Sequence, residues 1–153
     1  MGRYNLLFIG ILCSANLAYA AECAIDIYGT ETKDYTDTAG KKISQIVIPA
    51  ACSEFAVTLT NTSKRHKTTM GHNFVVAKQG DVKGIVLDGA IAGIKKDYLK
   101  PKDKRVLVHT KLLGPGESDT VKIKVASIKG GGYDFFCSFL GHETKMHGKL
   151  IVQ

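Results

Sequence analysis

The side chains best suited to bind a metal ion lie near the C-terminus and are Cys137, His142 and Met146. Successive members are five and four positions apart, so one loop can direct all three toward a common point. A second imidazole is available far upstream from His72, within the segment Met70–Asn73 at the start of another strand-like stretch. Together these residues offer a thiolate, two imidazoles and a thioether.

This donor set favours a soft metal ion. Two histidines and a cysteine in one plane, with a weak axial methionine, are typical of blue-copper electron-transfer centres. Calcium and magnesium prefer oxygen ligands. Zinc also binds cysteine and histidine, but it rarely binds methionine, and the chain contains no Cys-x-x-Cys pair. The sequence therefore predicts copper, with zinc as the competing metal.

Each residue also has an ordinary structural interpretation when it is taken alone. A single cysteine or methionine usually fills a core, and a single histidine usually forms a surface hydrogen bond; we interpret His66 and His109 in this way. His147 directly follows Met146, but alternation along a strand should turn its side chain away from the site. The metal-site hypothesis depends on order, spacing and flanking residues occurring together.

Two other functions would use the same residues. A copper chaperone or storage protein would expose exchangeable Cu(I) ligands and often contains methionine-rich segments, whereas this chain has three methionines including Met1. A cysteine enzyme would use Cys137 as nucleophile and His142 as base. That mechanism leaves Met146 without a role and requires an oxyanion hole that the sequence does not indicate. Electron transfer is therefore favoured over catalysis.

Alternation of apolar and polar residues dominates the rest of the chain and is typical of strands with one buried face. It is clearest at Phe55, Val57 and Leu59 and at residues 121–125. Residues 79–98 interrupt it with four glycines among apolar residues, which predicts a short external helix. The pattern indicates an all-β, two-sheet sandwich. Further predicted strands cover residues 24–28, 45–48, 74–77, 106–110, 133–138 and 149–152.

The first twenty residues are typical of a secretory signal peptide. Arg3 provides a basic start, residues 6–12 are apolar, and residues 18–20 read Ala-Tyr-Ala, as a cleavage site requires. The apolar run is too short to cross a bilayer. We predict that residues 1–20 direct export to the periplasm, and that residues 21–153 form one domain without membrane insertion.

Export would leave three cysteines in the mature chain. In an oxidising compartment two of the three are expected to pair. Cys23 and Cys52 lie in the first third of the chain, and their pairing would close a loop of about 30 residues. Cys137 would then be an odd thiol, which calls for a metal or a reactive role.

The charge is moderately basic, with a formal net value of +7 that falls by one when Arg3 is removed. Such an excess favours acidic partners and is not by itself a signature of nucleic-acid binding. Basic residues 64–67 precede Met70, and Lys145 lies within the ligand loop. We therefore expect a basic rim around the metal site that favours an acidic partner face.

The motif Cys-x4-His-x3-Met with the upstream Met-Gly-His-Asn resembles the azurin branch of the cupredoxin family. Residues 21–23, 96–101 and 109–112 also resemble stretches of that family, and the resemblance covers nearly the whole mature chain. It is weakest between Cys23 and Cys52, the pair to which the family disulfide corresponds. The resemblance implies a cupredoxin-like Greek-key sandwich and one blue (type 1) copper ion cycling between Cu(I) and Cu(II).

The resemblance also implies a role for each ligand. Cys137, His72 and His142 would bind the copper in one plane. Met146 would be a long axial ligand, opposed by the backbone carbonyl of Gly71, where the missing side chain permits a close approach.

Three further residues would surround these ligands: Asn73, Ser138 and Phe139. Asn73 resembles the family asparagine that ties the two ligand loops together and donates a backbone hydrogen bond to the cysteine sulfur, with Ser138 as its partner. Leu140 stands where azurins usually have proline. Unlike proline, Leu140 has a backbone N–H. We hypothesise that this N–H donates another hydrogen bond to the Cys137 sulfur and so raises the reduction potential.

In proteins of this kind the electron passes through the exposed edge of the loop histidine, here His142. The resemblance implies an apolar docking patch of Met70, Phe139, Leu140 and Gly141, with small and transient redox encounters. The partners it implies are redox proteins such as a c-type cytochrome, a nitrite reductase, a terminal oxidase or a dehydrogenase. We expect a monomeric one-electron carrier.

Overall fold

Alternating buried and exposed side chains form two β-sheets that pack face to face. The computed structural model describes residues 22–153, so the predicted signal peptide lies outside the described residues. The strands of this part are β1 (Ala24–Gly29), β2 (Tyr35–Thr36), β3 (Gln45–Ile48), β4 (Glu54–Asn61), β5 (Val75–Lys78), β6 (Val106–His109), β7 (Ser118–Lys124), β8 (Tyr133–Phe136) and β9 (His147–Val152).

One sheet has the strand order β2-β1-β4-β7, and the other has the order β3-β9-β8-β5-β6. Strands β1 and β4 are parallel, as are β3 and β9, and the remaining neighbours are antiparallel. The predicted all-β, two-sheet sandwich is therefore confirmed. Between the sheets lies a core whose largest fully buried side chains include Tyr35, Phe74, Phe135, Ile27 and Leu59.

The predicted external helix is α2 (Val82–Ala92), which follows the short helix α1 (Lys67–Met70) in the chain. Apolar residues of α2 pack on the outer face of the second sheet, against Val75, Ala77 and Phe136. A side chain at Gly89 would collide with the carbonyl of Tyr98, so this glycine permits close packing of the helix. Within residues 22–153, no helix is long and apolar enough to cross a membrane.

Two elements were not predicted, β2 and α1, because two and four residues are too few to show a period. The predicted strand over residues 133–138 ends earlier, at Phe136, since the chain then turns into the ligand loop. The disulfide joins Cys23 to Cys52, as expected. Cys23 directly precedes β1, whose other end leads into the loops around Cys137 and His72.

Candidate metal centre

The loop that carries three of the predicted ligands connects β8 to β9. Cys137 directly follows β8, and its N–H donates to the carbonyl of Met146 over 3.0 Å. The N–H of Met146 in turn donates to the carbonyl of His142 over 2.8 Å. These bonds close the loop and hold its side chains at one end of the sandwich.

His72 reaches the same end from the segment between α1 and β5. Its backbone pairs with that of Leu113 through two hydrogen bonds, of 3.1 and 2.7 Å, which fix the segment to the neighbouring loop. Gly71 precedes it, and a Cβ there would lie 2.6 Å from the carbonyl oxygen of Lys67. The missing side chain therefore lets this backbone pack tightly beside His72.

The metal-binding atoms of His72, Cys137 and His142 lie within 4.8 Å of one another. The sulfur of Cys137 is 3.8 Å from Nδ1 of His142. All three residues are buried, and Met146 is fully buried in the same core cluster as Cys137. The fold thus brings together residues that are 65 positions apart in the chain, His72 and Cys137.

The hydrogen bonding of His72 leaves one ring nitrogen free for a metal. Nε2 lies 3.0 Å from the carbonyl oxygen of Thr30. Because a carbonyl only accepts, Nε2 carries the proton and Nδ1 keeps its lone pair. Nδ1 is buried without a hydrogen-bond partner, which is costly for a polar atom. A metal ion would satisfy it, so the donors present fit copper.

Burial sets the protonation states of these ligands. It lowers the pKa of His72 to about 4 and, together with the nearby His72 and Lys33, lowers the pKa of His142 to about 3. Both imidazoles are therefore neutral at pH 7, the form that binds a metal. Burial also raises the pKa of the Cys137 thiol to about 12, so metal binding must displace its proton.

Comparison with known proteins agrees with this donor set. Residues 33–153 match the family of copper binding proteins described as the plastocyanin/azurin family. The chain is 43% identical to an azurin of Pseudomonas chlororaphis over 134 residues, covering 87% of this chain and 100% of that one. It is 44% identical to an azurin of Bordetella pertussis over 132 residues, covering 86% and 84% respectively. The chain belongs to the azurin branch of the plastocyanin/azurin family.

A solved structure extends the agreement to the fold. The azurin Az-iso2 of the obligate methylotroph Methylomonas sp. strain J matches with a TM-score of 0.78 and 36% sequence identity. The match covers 87% of this chain and 99% of that one. The predicted cupredoxin fold and copper cofactor are thereby confirmed.

In this azurin-family chain Asn73 joins three loops. Its Nδ2 donates to Ser138 Oγ over 2.8 Å and to the carbonyl of Asp97 over 3.0 Å, and its Oδ1 accepts from the Ser138 N–H over 2.8 Å. The N–H groups of Asn73 and Phe139 donate to the Cys137 sulfur and partly offset the effect of burial on its pKa.

The additional hydrogen bond that we hypothesised from the N–H of Leu140 to the Cys137 sulfur stays a prediction. The two backbone N–H groups that lower the pKa of the Cys137 thiol by hydrogen bonding are those of Asn73 and Phe139.

The docking surface differs from the one that the resemblance implied. The expected exposed edge is not present, because His142 is only 1% exposed. The ring of Phe139 lies 4.4 Å from that of His142 and 4.9 Å from that of the half-buried Tyr98. Met70 and Phe139 are 3% and 7% exposed, whereas Leu140 is 61% exposed and Gly141 is exposed. Two of the four expected patch residues thus reach the surface.

Sequence reasoning missed several residues that hold the site together. The carbonyl of Thr30 fixes the ring of His72. Asn61 is fully buried, and its Nδ2 donates to the carbonyls of Met70 and Leu113 over 2.9 and 2.8 Å. These contacts join a side chain to a distant backbone atom, for which no spacing rule exists. A polar residue at an inward position of β4 was the one available signal for Asn61.

Proposed function

We propose that the mature chain carries single electrons in the periplasm and holds one copper ion through His72, Cys137, His142 and Met146. The backbone carbonyl of Gly71 would be a further ligand. When bound, the copper supplies a one-electron couple between Cu(I) and Cu(II). The proposal rests chiefly on the buried cluster of donor atoms, in which Nδ1 of His72 has no other partner.

The chain's own residues hold this site rigid and closed. Thr30 fixes one imidazole, and the Asn73–Ser138 bonds tie the two ligand loops together. Because hydrogen bonds to the ligands keep them in place, the ligands should move little when the copper changes between Cu(I) and Cu(II). All four proposed ligand side chains are buried, so the site offers no open position to a substrate. A closed site supports electron transfer over catalysis.

Burial of the donors also argues against the copper chaperone or storage alternative. A protein that hands copper to a partner needs ligands that the partner can reach. His72, Cys137 and Met146 are fully buried, and His142 is almost so. Electron transfer needs no such exchange of ligands.

Export to the periplasm is supported by two features of different kinds. Residues 1–20 have a signal-peptide pattern, and the mature chain carries the Cys23–Cys52 disulfide, which persists in oxidising compartments. The proposed monomer would exchange electrons with redox proteins such as a c-type cytochrome, a nitrite reductase or a terminal oxidase. No nucleic-acid partner is proposed.

The deciding experiment is the visible absorption spectrum of the mature protein after loading with Cu(II). We expect an intense blue band from the copper–thiolate bond that is lost in Cys137→Ser and kept in His66→Ala, a variant at an exposed histidine. Voltammetry should show one reversible one-electron wave. A colourless protein, with Cys137 shown by mass spectrometry to be reduced and metal-free, would overturn the proposal and favour a zinc or thiol function.

A further inference from the structure

Four lysines lie in the segments that carry or contact the proposed copper ligands, and none of them forms an ion pair in the described part of the chain. We call this set the cationic rim; it consists of Lys33, Lys64, Lys67 and Lys145. Two further cations of the same end are neutralised, since Arg65 pairs with Glu31 and Lys42 pairs with Asp34. The rim therefore leaves positive charge facing solvent at the end of the molecule that holds the copper ligands.

Lys33 brings a charge close to the segment of His72 from the turn between β1 and β2. Its N–H donates over 3.1 Å to the carbonyl of Thr30, the same carbonyl that accepts from the ring of His72. Lys33 has a positive φ of 62°, as the sharp turn requires.

The segment before α1 brings further charge to the same end. The N–H of Lys64 donates to Oε2 of Glu31 over 3.0 Å, and Nε of Arg65 lies 2.6 Å from Oε1 of Glu31. Glu31 thus binds this segment to the turn that carries Lys33. Its single charge neutralises Arg65, and the side chain of Lys64 remains exposed and without an ion pair.

Lys145 completes the rim from within the ligand loop. Its N–H donates to the carbonyl of His142 over 3.0 Å, and its side chain is exposed. The pKa of Asp34, which directly follows Lys33 in the turn, is lowered chiefly by its hydrogen bond with Lys42 and to a smaller extent by the charge of Lys145, so Lys145 lies near this turn. Leu140, in the same ligand loop as Lys145, is a large apolar side chain that is 61% exposed.

We propose that the cationic rim docks a redox protein whose own docking face is acidic, with Leu140 at the centre of the contact. This inference rests on the proposed electron-carrier function. Because Met70 and Phe139 are buried, the exposed apolar area is too small to select a partner alone. Charges around a small apolar centre instead accelerate encounter and orient the partner. An anionic lipid surface would also attract the rim, but it contains no electron acceptor.

The test compares two pairs of charge-removing substitutions in the full mature protein loaded with copper. The rim variant is Lys33→Gln with Lys145→Gln. The matched control is Lys124→Gln with Lys129→Gln, which removes the same charge from two exposed lysines at the opposite end of the sandwich. The probes are reduced cytochrome b5, which is acidic, and reduced cytochrome c, which is basic, mixed with the Cu(II) protein in a stopped-flow instrument.

At low ionic strength we expect the rim variant to react with cytochrome b5 about three- to tenfold more slowly than the parent, as expected for lost electrostatic steering. The control variant should change the rate less than about twofold, and the difference should vanish above roughly 0.5 M salt. With cytochrome c the rim variant should be faster than the parent. The reduction potential of each variant is measured so that rates are compared at known driving force.

Equal rates for the rim and control variants, or a parent rate with cytochrome b5 that does not fall with salt, would overturn the proposal. So would rim-dependent binding to phosphatidylglycerol–phosphatidylcholine vesicles combined with unchanged rates for both cytochromes, which would assign the rim to a lipid surface. A parent protein that showed neither a blue band nor a reversible one-electron wave would instead overturn the proposed electron-carrier function itself. The failures of the two proposals are thus distinguishable.

Discussion

Nε2 of His147 lies 2.7 Å from Oδ2 of Asp134, a carboxylate whose side chain is only 3% exposed. His147 opens β9 and pairs across the sheet with Phe136, so the imidazole and the carboxylate are diagonal neighbours on one sheet face. That is the outer face, while the adjacent Met146 points into the core. The bond thus anchors the first residue of β9 and directs His147 away from the copper ligands, as strand alternation predicted.

Breaking this pair should destabilise the fold. His147→Leu would leave the buried Asp134 carboxylate without its imidazole partner, and an unsatisfied buried polar group costs about 1–3 kcal/mol. We expect a loss of that size in the free energy of unfolding of the copper-free protein, measured by urea denaturation. The double variant Asp134→Leu/His147→Leu removes both polar groups and should recover most of the loss. An equal or larger loss in the double variant would show that the lost Asp134–His147 hydrogen bond is not the cause.

A methyl group at Gly29 should disturb the copper site directly. A Cβ there would lie 2.8 Å from Cδ2 and 2.9 Å from Cγ of the His72 ring, so the ring must move. We expect Gly29→Ala to fold but to bind copper more weakly, with a shifted blue band, because overpacking of this kind costs about 1–3 kcal/mol. Copper affinity is measured by competition with a chelator of known strength.

Gly80→Ala is the matched control for this substitution. Gly80 has no atom within 4 Å of its added Cβ and no positive φ. It should keep the parent spectrum and copper affinity. If Gly29→Ala also kept both, the close approach of β1 to the His72 ring would not be what sets the ring's position.

Much of the fold could be predicted because strand alternation records which side chains face the core. The alternation at Phe55, Val57 and Leu59 corresponds to buried positions of β4. Strand β3 has the predicted bounds. The two-residue strand β2 could not be predicted, since a period needs several residues to show itself. Its Tyr35 is nonetheless among the largest fully buried side chains.

The site could be predicted as far as its chemistry is local in the sequence. Cys137, His142 and Met146 share one loop, so their spacing was visible. The sequence could not predict which side chains cover these ligands. The exposure expected for His142 fails because an aromatic contact with Phe139 and the surrounding loops covers it. The support from Thr30 depends on a backbone carbonyl 42 positions away from His72, which no motif records.

Removing the disulfide should lower stability without altering the copper site. Cys23 and Cys52 close a loop with a sequence separation of 29, and the chain-entropy relation gives about 3.6 kcal/mol for such a loop. We expect Cys23→Ala/Cys52→Ala to have a free energy of unfolding that is lower by about this amount, and therefore to unfold at a lower urea concentration. The blue band and reduction potential should match those of the parent, since Cys23 precedes the end of β1 that is remote from His72. A changed spectrum would indicate coupling between the two ends of the sandwich.

Copper binding should release one proton per ion between about pH 5 and pH 9. The metal-free thiol of Cys137 is protonated throughout this range because burial raises its pKa to about 12, and it must become a thiolate to bind. His72 and His142 contribute no protons there, because burial lowers their pKa values to about 4 and about 3. The apparent affinity should therefore rise about tenfold per pH unit in this window. Calorimetric titration in buffers of different ionisation enthalpy measures the proton count directly, with Cys137→Ser expected to release none. A count near zero would mean that the thiolate already exists in the metal-free protein, and a count near three would mean that the imidazoles are protonated as well.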